Sequence, residues 1–509
     1  MAKSIQLSKN LEWEKPRIEK KETKVEILEI SLNSKSSEEQ SVQKEINIFN
    51  EILDRISDSK VHGIGNIVKA KSSILRIIWV LCLLASTTLC VYELVTAILV
   101  YYQFGVKQIT TIKYEAPSKF PSIDVCNVIP YDAADSEVIT LVASIVSSNN
   151  FTSGQFANPK DYTDQILTLI KANSAKLSIN GNFNQFENSY NLEDMMISCF
   201  FEGIACNLSR FYYYNDFNYG NCFSFNNNQV NNAGHGNTTN SSILTSSFSG
   251  FAKGFQLEMY TGSPANQIYS YSNGLRVTVH NQTTIVFPFD DGLNVPNGMQ
   301  TNLIVKRTFF SHLNAPYSNC LTDPVDYTQN TILKVMASNY SMGTAVYKQS
   351  YCLKVCLQQH IVSICGCYDM SFPSLISNDS ILRGCYEQAD LTCINSAYLQ
   401  YIAIDHDIYC YAQCPLECTE IIIDLEHSYS NYPTSWYTSL MLNNTDFLAM
   451  VAKTAPLNFT PNEKFLQSNT LLLNVFYDRL GYVEIIEEPS MTIDSLFAIF
   501  GGNLGLFLG

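Results

Sequence analysis

Basic residues are scarce in this chain. Its 32 Lys and Arg are outnumbered by 47 Asp and Glu, for a formal net charge of -15. That balance argues against a nucleic-acid partner, which would need a clustered basic face to neutralise phosphates. Charge of either sign is low, at 16% of residues, while Tyr and Phe number 30 and 28. Such a composition fits a large β-containing ectodomain or a membrane protein better than a cytosolic helical enzyme. Histidine is sparse too: seven residues, scattered without metal-ligand spacing, and neither HExxH nor GxSxG occurs. Neighbouring carboxylates such as Asp290-Asp291 and Glu487-Glu488 read as solvated surface rather than as a general acid and base. No catalytic residue, metal ligand or cofactor is therefore expected, and a membrane-anchored ectoenzyme is disfavoured. There is no internal repeat. A chain of 509 residues that is 46% hydrophobic has ample material for a core, which excludes disorder throughout.

One apolar run is decisive. From Ile77 to Tyr92, "IIWVLCLLASTTLCVY", there is no charge; Glu93 interrupts, and the apolar character continues to Phe104. About 28 residues suffice to cross a bilayer core of roughly 30 Å with some tilt. The run begins too far from the N-terminus for a cleaved signal peptide. Lys60, Lys69, Lys71 and Arg76 precede it and only Lys107 and Lys113 follow shortly after, so the N-terminus is expected in the cytosol. Two features agree. Nine Asn-x-Ser/Thr sequons, at Asn150, Asn207, Asn237, Asn240, Asn281, Asn339, Asn378, Asn443 and Asn458, all follow the run. Of 16 cysteines, Cys82 and Cys90 lie within it and the other 14 follow, an even number that predicts up to seven disulfides in an oxidising compartment.

Residues 1–60, rich in Lys, Glu and Ser, have the composition of a largely disordered cytosolic tail. Within it Ile46, Phe49, Leu53 and Ile56 fall at helical spacing, a short amphipathic or transient helix. Residues 61–76 then bring His62, Gly63 and Gly65, which interrupt any helix just before the span. Beyond it, "FPSIDVCN" at Phe120–Asn127 and "GLRVTVHN" at Gly274–Asn281 alternate like half-buried strands. A Pro-Asn-Gly turn in "VPNGMQTNLIVKRTFF" leads into another. Residues 130–260 mix helical patches with polar loops. Residues 320–418 hold ten cysteines. Cys352 and Cys356 lie at i and i+4, and Cys410 and Cys414 repeat that helical spacing, so the two pairs can form stacked rungs. Cys365 and Cys367, too close to bond each other easily, should each reach out, with Cys385 and Cys393 the nearest candidates. Spacing alone does not choose among the pairings. A zinc site is disfavoured, since neither "CLKVC" nor "CGC" has the usual ligand spacing.

Taken together these residues resemble the degenerin, epithelial sodium channel and acid-sensing ion channel family, collinearly from about His62 to Gly509. The resemblance rests on the His-Gly pair before the span, "FPSIDVCN" after it, "CFFEGIACNLSRFYYYNDFNYGNCFSFN", "GLRVTVHNQ", the cysteine-rich block, "NTLLLNVFYDRLGYVEI" and the closing "FGGNLGLFLG". It implies an α+β membrane protein: a two-pass channel subunit whose large disulfide-rich ectodomain, residues 105–493, is built on a β-sheet palm with helical thumb and finger. Residues 77–104 would be the first transmembrane helix. Residues 494–509 would begin a second, pore-lining helix that continues beyond Gly509, where the family has a Gly-x-Ser selectivity element.

The resemblance also implies roles. Cys126 should pair with Cys222, Cys199 with Cys206, Cys320 with Cys418, Cys352 with Cys414, Cys356 with Cys410, Cys365 with Cys393 and Cys367 with Cys385. His62 and Gly63 match the family's gating element, and Ala498 a small residue whose enlargement holds the channel open. Tyr102 and Tyr317 match an aromatic contact that couples ectodomain to membrane helices. Gly501, Gly505 and Gly509, on one helical stripe, would line the pore, where close backbone approach and exposed carbonyls serve ion passage; helix packing alone would also account for them. Acid-sensing members carry two acidic residues soon after the cysteine matched by Cys393. "CINSAYLQ" has none, and Asp405 and Asp407 come later. The implied protein is a plasma-membrane subunit of a homo- or heterotrimer in the lipid bilayer, passing sodium ions selectively and blocked by amiloride; an extracellular peptide ligand, constitutive opening and mechanical gating are all compatible with the resemblance. The rival is a single-pass type II receptor or adhesion glycoprotein.

Overall fold

A computed structural model describes residues 48, 51–52, 54–55 and 63–509, except 133–134, 149–157, 228–241, 263–269, 323–324, 327–329, 340–345, 373–381, 404–406 and 456–458. His62, the amphipathic stretch except for fragments, and the sequons Asn150, Asn237, Asn240, Asn378 and Asn458 thus lie outside the described residues. Two compact units form, one within Met1–Gln103 and Met491–Gly509, the other Phe104–Ser490.

The first unit is helical. Its main element is the 30-residue helix Ser73–Tyr102, about 45 Å long at 1.5 Å per residue. It begins four residues before the predicted run, since Ser73-Ile74-Leu75-Arg76 prolongs the same helix. Phe104, with φ 48°, follows its end. Ile77, Leu81, Leu84 and Val91 are each more than half exposed, so the helix is apolar all round and suited to hydrocarbon rather than water. Among the described residues it is the one helix long and apolar enough to cross a membrane. The second helix, Ile493–Phe507, is capped by Thr492, whose hydroxyl accepts from the Ser495 amide at 3.1 Å.

The second unit is built on two sheets. An eight-stranded mixed sheet runs in the order Val106–Lys113, Tyr482–Pro489, Met299–Ser311, Thr470–Tyr477, Phe255–Tyr260, Met196–Phe201 and Ile204–Ala205, with Thr419–Asn431 also paired to Met299–Ser311. Met299–Ser311 is the keel. Its first half pairs in parallel with Thr470–Tyr477, its end with Tyr482–Pro489, and its whole length antiparallel with Thr419–Asn431. The predicted turn precedes it, with Gly298 at φ 77°. An antiparallel five-stranded sheet has the order Leu293–Val295, Leu275–His280, Ser122–Asn127, Gly220–Phe225 and Phe211–Asp216.

The alternating strands Ser122–Asn127 and Leu275–His280 are not half-buried as expected: every residue of the first and all but Arg276 of the second are buried. Their polar residues point into the protein, where Asp124 and His280 satisfy each other. One apolar core joins the two sheets, with Phe225 over Phe255 at 4.3 Å between ring centroids and Phe120 edge-on to Phe201 at 4.9 Å. Ser136–Ser148 and Pro159–Ile179 are helices that bury Val138, Leu141, Val142 and Ile145, an i, i+3, i+4, i+7 stripe, against Ile166, Leu169 and Ile170. The cysteine-rich segment supplies the helices Gln349–Cys365 and Gln388–Ala403. The first ends on Gly366 in the left-handed conformation, φ 66°.

Candidate functional site

In the helical unit, Gly63 adopts φ 90° and starts the short helix Ile64–Lys69, which packs near Trp79 and Leu83 of Ser73–Tyr102. A β-carbon there would be strained by that φ rather than by crowding. The Ile493–Phe507 helix lies against Ser73–Tyr102. Ser86 Oγ donates to the Phe507 carbonyl at 2.6 Å, and Cys90 Sγ approaches the Asn503 carbonyl at 3.9 Å. Ser86 and Cys90 are one helical turn apart, as are Asn503 and Phe507, so two small side chains of the long helix meet two backbone carbonyls of the short one. Gly501 and Gly505 are helical, and a β-carbon on either would meet nothing within 4 Å, whereas Gly509 lies beyond the helix with φ 103°. The helix therefore carries two of the three predicted glycines. Ala498 is exposed.

In the sheet unit, Val106–Lys113 and Tyr482–Pro489 pair antiparallel, from Val106 opposite Pro489 to Lys113 opposite Tyr482. In sequence the first follows the long helix and the second precedes the short one. The pair is fastened by Lys107 to Glu488 at 3.2 Å, Lys113 to Glu484 at 2.5 Å and the Ser490 amide to the Gly105 carbonyl at 2.8 Å. Within this unit Tyr317 stands edge-on to Phe104 at 5.5 Å; within the helical unit Tyr102 stands edge-on to Tyr101 at 5.5 Å. Glu487 corrects an expectation. It is buried, bonded to His312 Nδ1 at 3.2 Å and to the Leu313 amide at 3.2 Å, because alternate residues of its strand face inward; its neighbour Glu488 stays outside. Asp290 and Asp291 are likewise engaged, the first with Lys354 and the second with the Phe287 amide at 2.8 Å.

Seven disulfides are present: Cys126–Cys222, Cys199–Cys206, Cys320–Cys418, Cys352–Cys414, Cys356–Cys410, Cys365–Cys393 and Cys367–Cys385. Cys352 and Cys356 do lie on one helix, Gln349–Cys365. Their partners do not: Cys410 sits in a five-residue π-turn, Asp407–Tyr411, and Cys414 follows it, so the i, i+4 spacing is only a single loose turn. Cys82 and Cys90 are free thiols. Of the described sequons, Asn207 and Asn443 are exposed, whereas Asn281 is half-buried with its amide donating to Thr283 Oγ1 at 2.9 Å. Asn339 closes the helix Thr331–Asn339.

A cavity of about 650 Å³ lies between the cysteine-rich helices and the five-stranded sheet. Phe287, Phe289, Phe372 and Tyr401 wall it, with Asp216 and Lys354 among them. Burial pushes the Asp216 carboxyl above its ordinary range, against the amides of Asn218 and Tyr219 that it accepts. Neither Asp405 nor the Asp407 side chain is among the described residues. A different acidic pair, Glu417 and Glu420, lines a second cavity, where burial and the Glu417 charge raise the Glu420 pKa. Sequence reading missed His312, Phe104 and this pair, and took Glu487 for solvated surface. The partners of His312, Glu487 and Phe104 are remote in sequence, and no local spacing marks them.

The family model for the amiloride-sensitive sodium channel matches residues 56–509. The chain belongs to the amiloride-sensitive sodium channel family. It is 23% identical over 527 residues to the FMRFamide-activated amiloride-sensitive sodium channel of Cornu aspersum, an alignment covering 89% of this chain and 79% of that one. It is 26% identical over 466 residues to the human bile acid-sensitive ion channel, covering 88% and 81%. With the epithelial sodium channel subunit gamma of Rattus norvegicus it shares 27% over 322 residues, 63% of this chain and 45% of the relative, so it spans under half the length of that subunit. Members of this family are ion channels, not enzymes. This member is a sodium-channel subunit of the plasma membrane, with a large extracellular domain.

Proposed function

We propose that the chain is one subunit of a trimer, homomeric or built with related subunits, that passes sodium down its gradient and is blocked by amiloride. In this reading the Ser73–Tyr102 helix is the first span, with a cytosolic N-terminus, and Ile493–Phe507 begins the second. The eight-stranded sheet is the palm, the disulfide-laced helices the thumb and the Ser136–Ser148 and Pro159–Ile179 pair the finger. Gly501, Gly505 and Gly509 face the pore, His62 and Gly63 belong to its cytosolic gate, and Ala498 sits at a helix crossing where bulk blocks closure. Tyr102 and Tyr317, with Phe104, couple the ectodomain to the spans. The observation that carries the proposal is the family match over nearly the whole chain.

A peptide ligand is the proposed stimulus, since a relative is FMRFamide-activated. The aromatic cavity holding Asp216 suits a peptide bearing aromatic and cationic side chains. Oocytes expressing the complete transcript test these points. The expected result is an inward current that amiloride blocks, that follows external sodium and that Ala498→Val enlarges; FMRFamide-like peptides should open it, and Phe372→Ala should raise the concentration needed. Surface-delivered protein without current, alone or beside related subunits, would instead favour the type II glycoprotein.

A further inference from the structure

The eight-stranded sheet contains a buried guanidinium whose donors are not all used. Arg307, on the Met299–Ser311 strand, is 7% exposed. Its plane is stacked among aromatic rings, with Cζ 4.8 Å from the Tyr477 centroid, 5.8 Å from Tyr482 and 5.9 Å from Phe309. Nη2 donates to Glu115 Oε2 at 2.7 Å and Ser118 Oγ at 3.2 Å, and Nη1 to the Lys119 carbonyl at 3.4 Å. Nε is buried and has no hydrogen-bond partner among the described residues. A buried donor left open on a cation is costly and calls for an acceptor.

The same side chain lines a cavity of about 300 Å³, of which Phe120, Ile421 and Ile423 form apolar walls and Lys119 adds a second positive charge. Glu115 is the one acid in that lining, and its side chain is 36% exposed against 7% for Arg307. The arginine is enclosed by its rings, and the glutamate is the more exposed partner, on the side from which a competing carboxylate would come.

We infer that this cavity binds a small organic carboxylate with an aromatic or other apolar body. The ligand's carboxylate takes the Arg307 guanidinium in place of Glu115, and its body lies against Phe309, Tyr477 and the isoleucines. A guanidinium presents donors in a plane that matches a carboxylate's two oxygens. A neutral ligand would leave the Glu115 pair undisturbed, and a dianion would exceed the charge that one buried cation offers in an apolar setting. Glu115 follows the Val106–Lys113 strand and Tyr482 opens its partner Tyr482–Pro489. Occupancy therefore acts on both strands that lead, in sequence, to the apolar helices. The site stands whether or not the channel conducts as proposed.

The test is a fluorescence titration of the full chain in lipid nanodiscs with 2-naphthoate, empty nanodiscs as baseline and 2-naphthamide as the uncharged match. Saturable naphthoate binding is expected, with naphthamide at least about ten-fold weaker. Glu115→Gln, which removes the competing carboxylate, should tighten naphthoate about ten-fold, and Arg307→Lys should weaken it by at least as much. A purely structural ion pair predicts the opposite for Glu115→Gln: lower thermal stability and no gain in affinity. That result, equal binding of naphthamide, or no saturable binding at all would overturn the inference. Should either variant fail to fold, the naphthoate and naphthamide comparison on the wild-type chain decides alone.

Discussion

The cysteine-rich helices and the two sheets beside them are held together by different means. Five of the seven disulfides join residues 320–418, and there the buried apolar groups are few and interleaved with cystine: Cys352, Cys356, Cys410 and Cys414 are themselves the centre of one cluster. The sheets contain two disulfides and a single large core of Phe, Leu, Val and Ile. A region stapled at five levels keeps its shape when pushed. A sheet held by burial keeps its interior yet lets its exposed margin move, and the margin here is Val106–Lys113, exposed along its whole length.

Breaking the buried polar centre of the sheets should cost most. Asp124 is buried and accepts from His280 Nε2 at 3.0 Å, Tyr214 at 2.8 Å and Ser224, while His280 Nδ1 faces the Asn281 carbonyl at 2.9 Å. Both ring nitrogens thus face acceptors, and the imidazolium satisfies both. His280→Leu leaves Asp124 without its cation, a loss of about 3–5 kcal/mol, read as a fall in the thermal midpoint or as lost surface delivery. Burial alone would lower the His280 pKa, but Asp124, the Asn281 carbonyl and Asp291 outweigh it and the pKa ends above its ordinary value. The contribution is therefore complete below about pH 6.5 and lost as pH rises through the folded value. A wild-type midpoint that does not fall on alkalinisation, or falls equally in His280→Leu, would contradict this.

The next effect sharpens the contrast in stapling. Removing Cys352–Cys414 as a Ser pair leaves the neighbouring rung Cys356–Cys410 in place and so frees a ring of only about ten residues. Removing Cys126–Cys222, which has no such neighbour, frees a closure of 96. Chain entropy assigns them about 2.5 and about 4.5 kcal/mol. A larger loss for the ladder pair would show that it stabilises through native packing instead. A smaller effect lies at the start of the Gln388–Ala403 helix. The Arg383 guanidinium, at 2.7 and 2.8 Å from its two oxygens, holds the Asp390 carboxyl down at about 2. Its stabilisation is present above the ordinary carboxylate range and lost as pH falls through about 2. Because Arg383 is half exposed, Asp390→Asn should cost only about 1 kcal/mol, visible as faster amide exchange in that first turn. Smallest of all, Glu488→Gln removes the exposed partner of Lys107 and should cost about 0.5 kcal/mol or less, vanishing in high salt. A larger loss would mean that the margin is not compliant.

Much of the architecture was legible. The apolar run was readable because a span must be continuous, and the keel strand because one face alternates with the other: Thr301, Leu303, Val305 and Arg307 are buried and their neighbours are not. Period failed where both faces are covered. Asp124 and His280 read as outward polar residues and are inside, and Glu487 read as solvated and is buried. Cys410 and Cys414 had helical spacing without a regular helix, since cystine fixes their positions more firmly than backbone hydrogen bonds do.

By itself the sequence determined the membrane run, the side on which cysteines and sequons fall, and the family, because composition, order and spacing are properties of the chain alone. Only the tertiary structure decided that His280 belongs to Asp124, Glu487 to His312 and Arg307 to Glu115, pairs separated by 156, 175 and 192 residues. Such partners meet through sheet register and burial, which depend on every strand at once; a polar side chain carries no local mark of which remote charge will satisfy it.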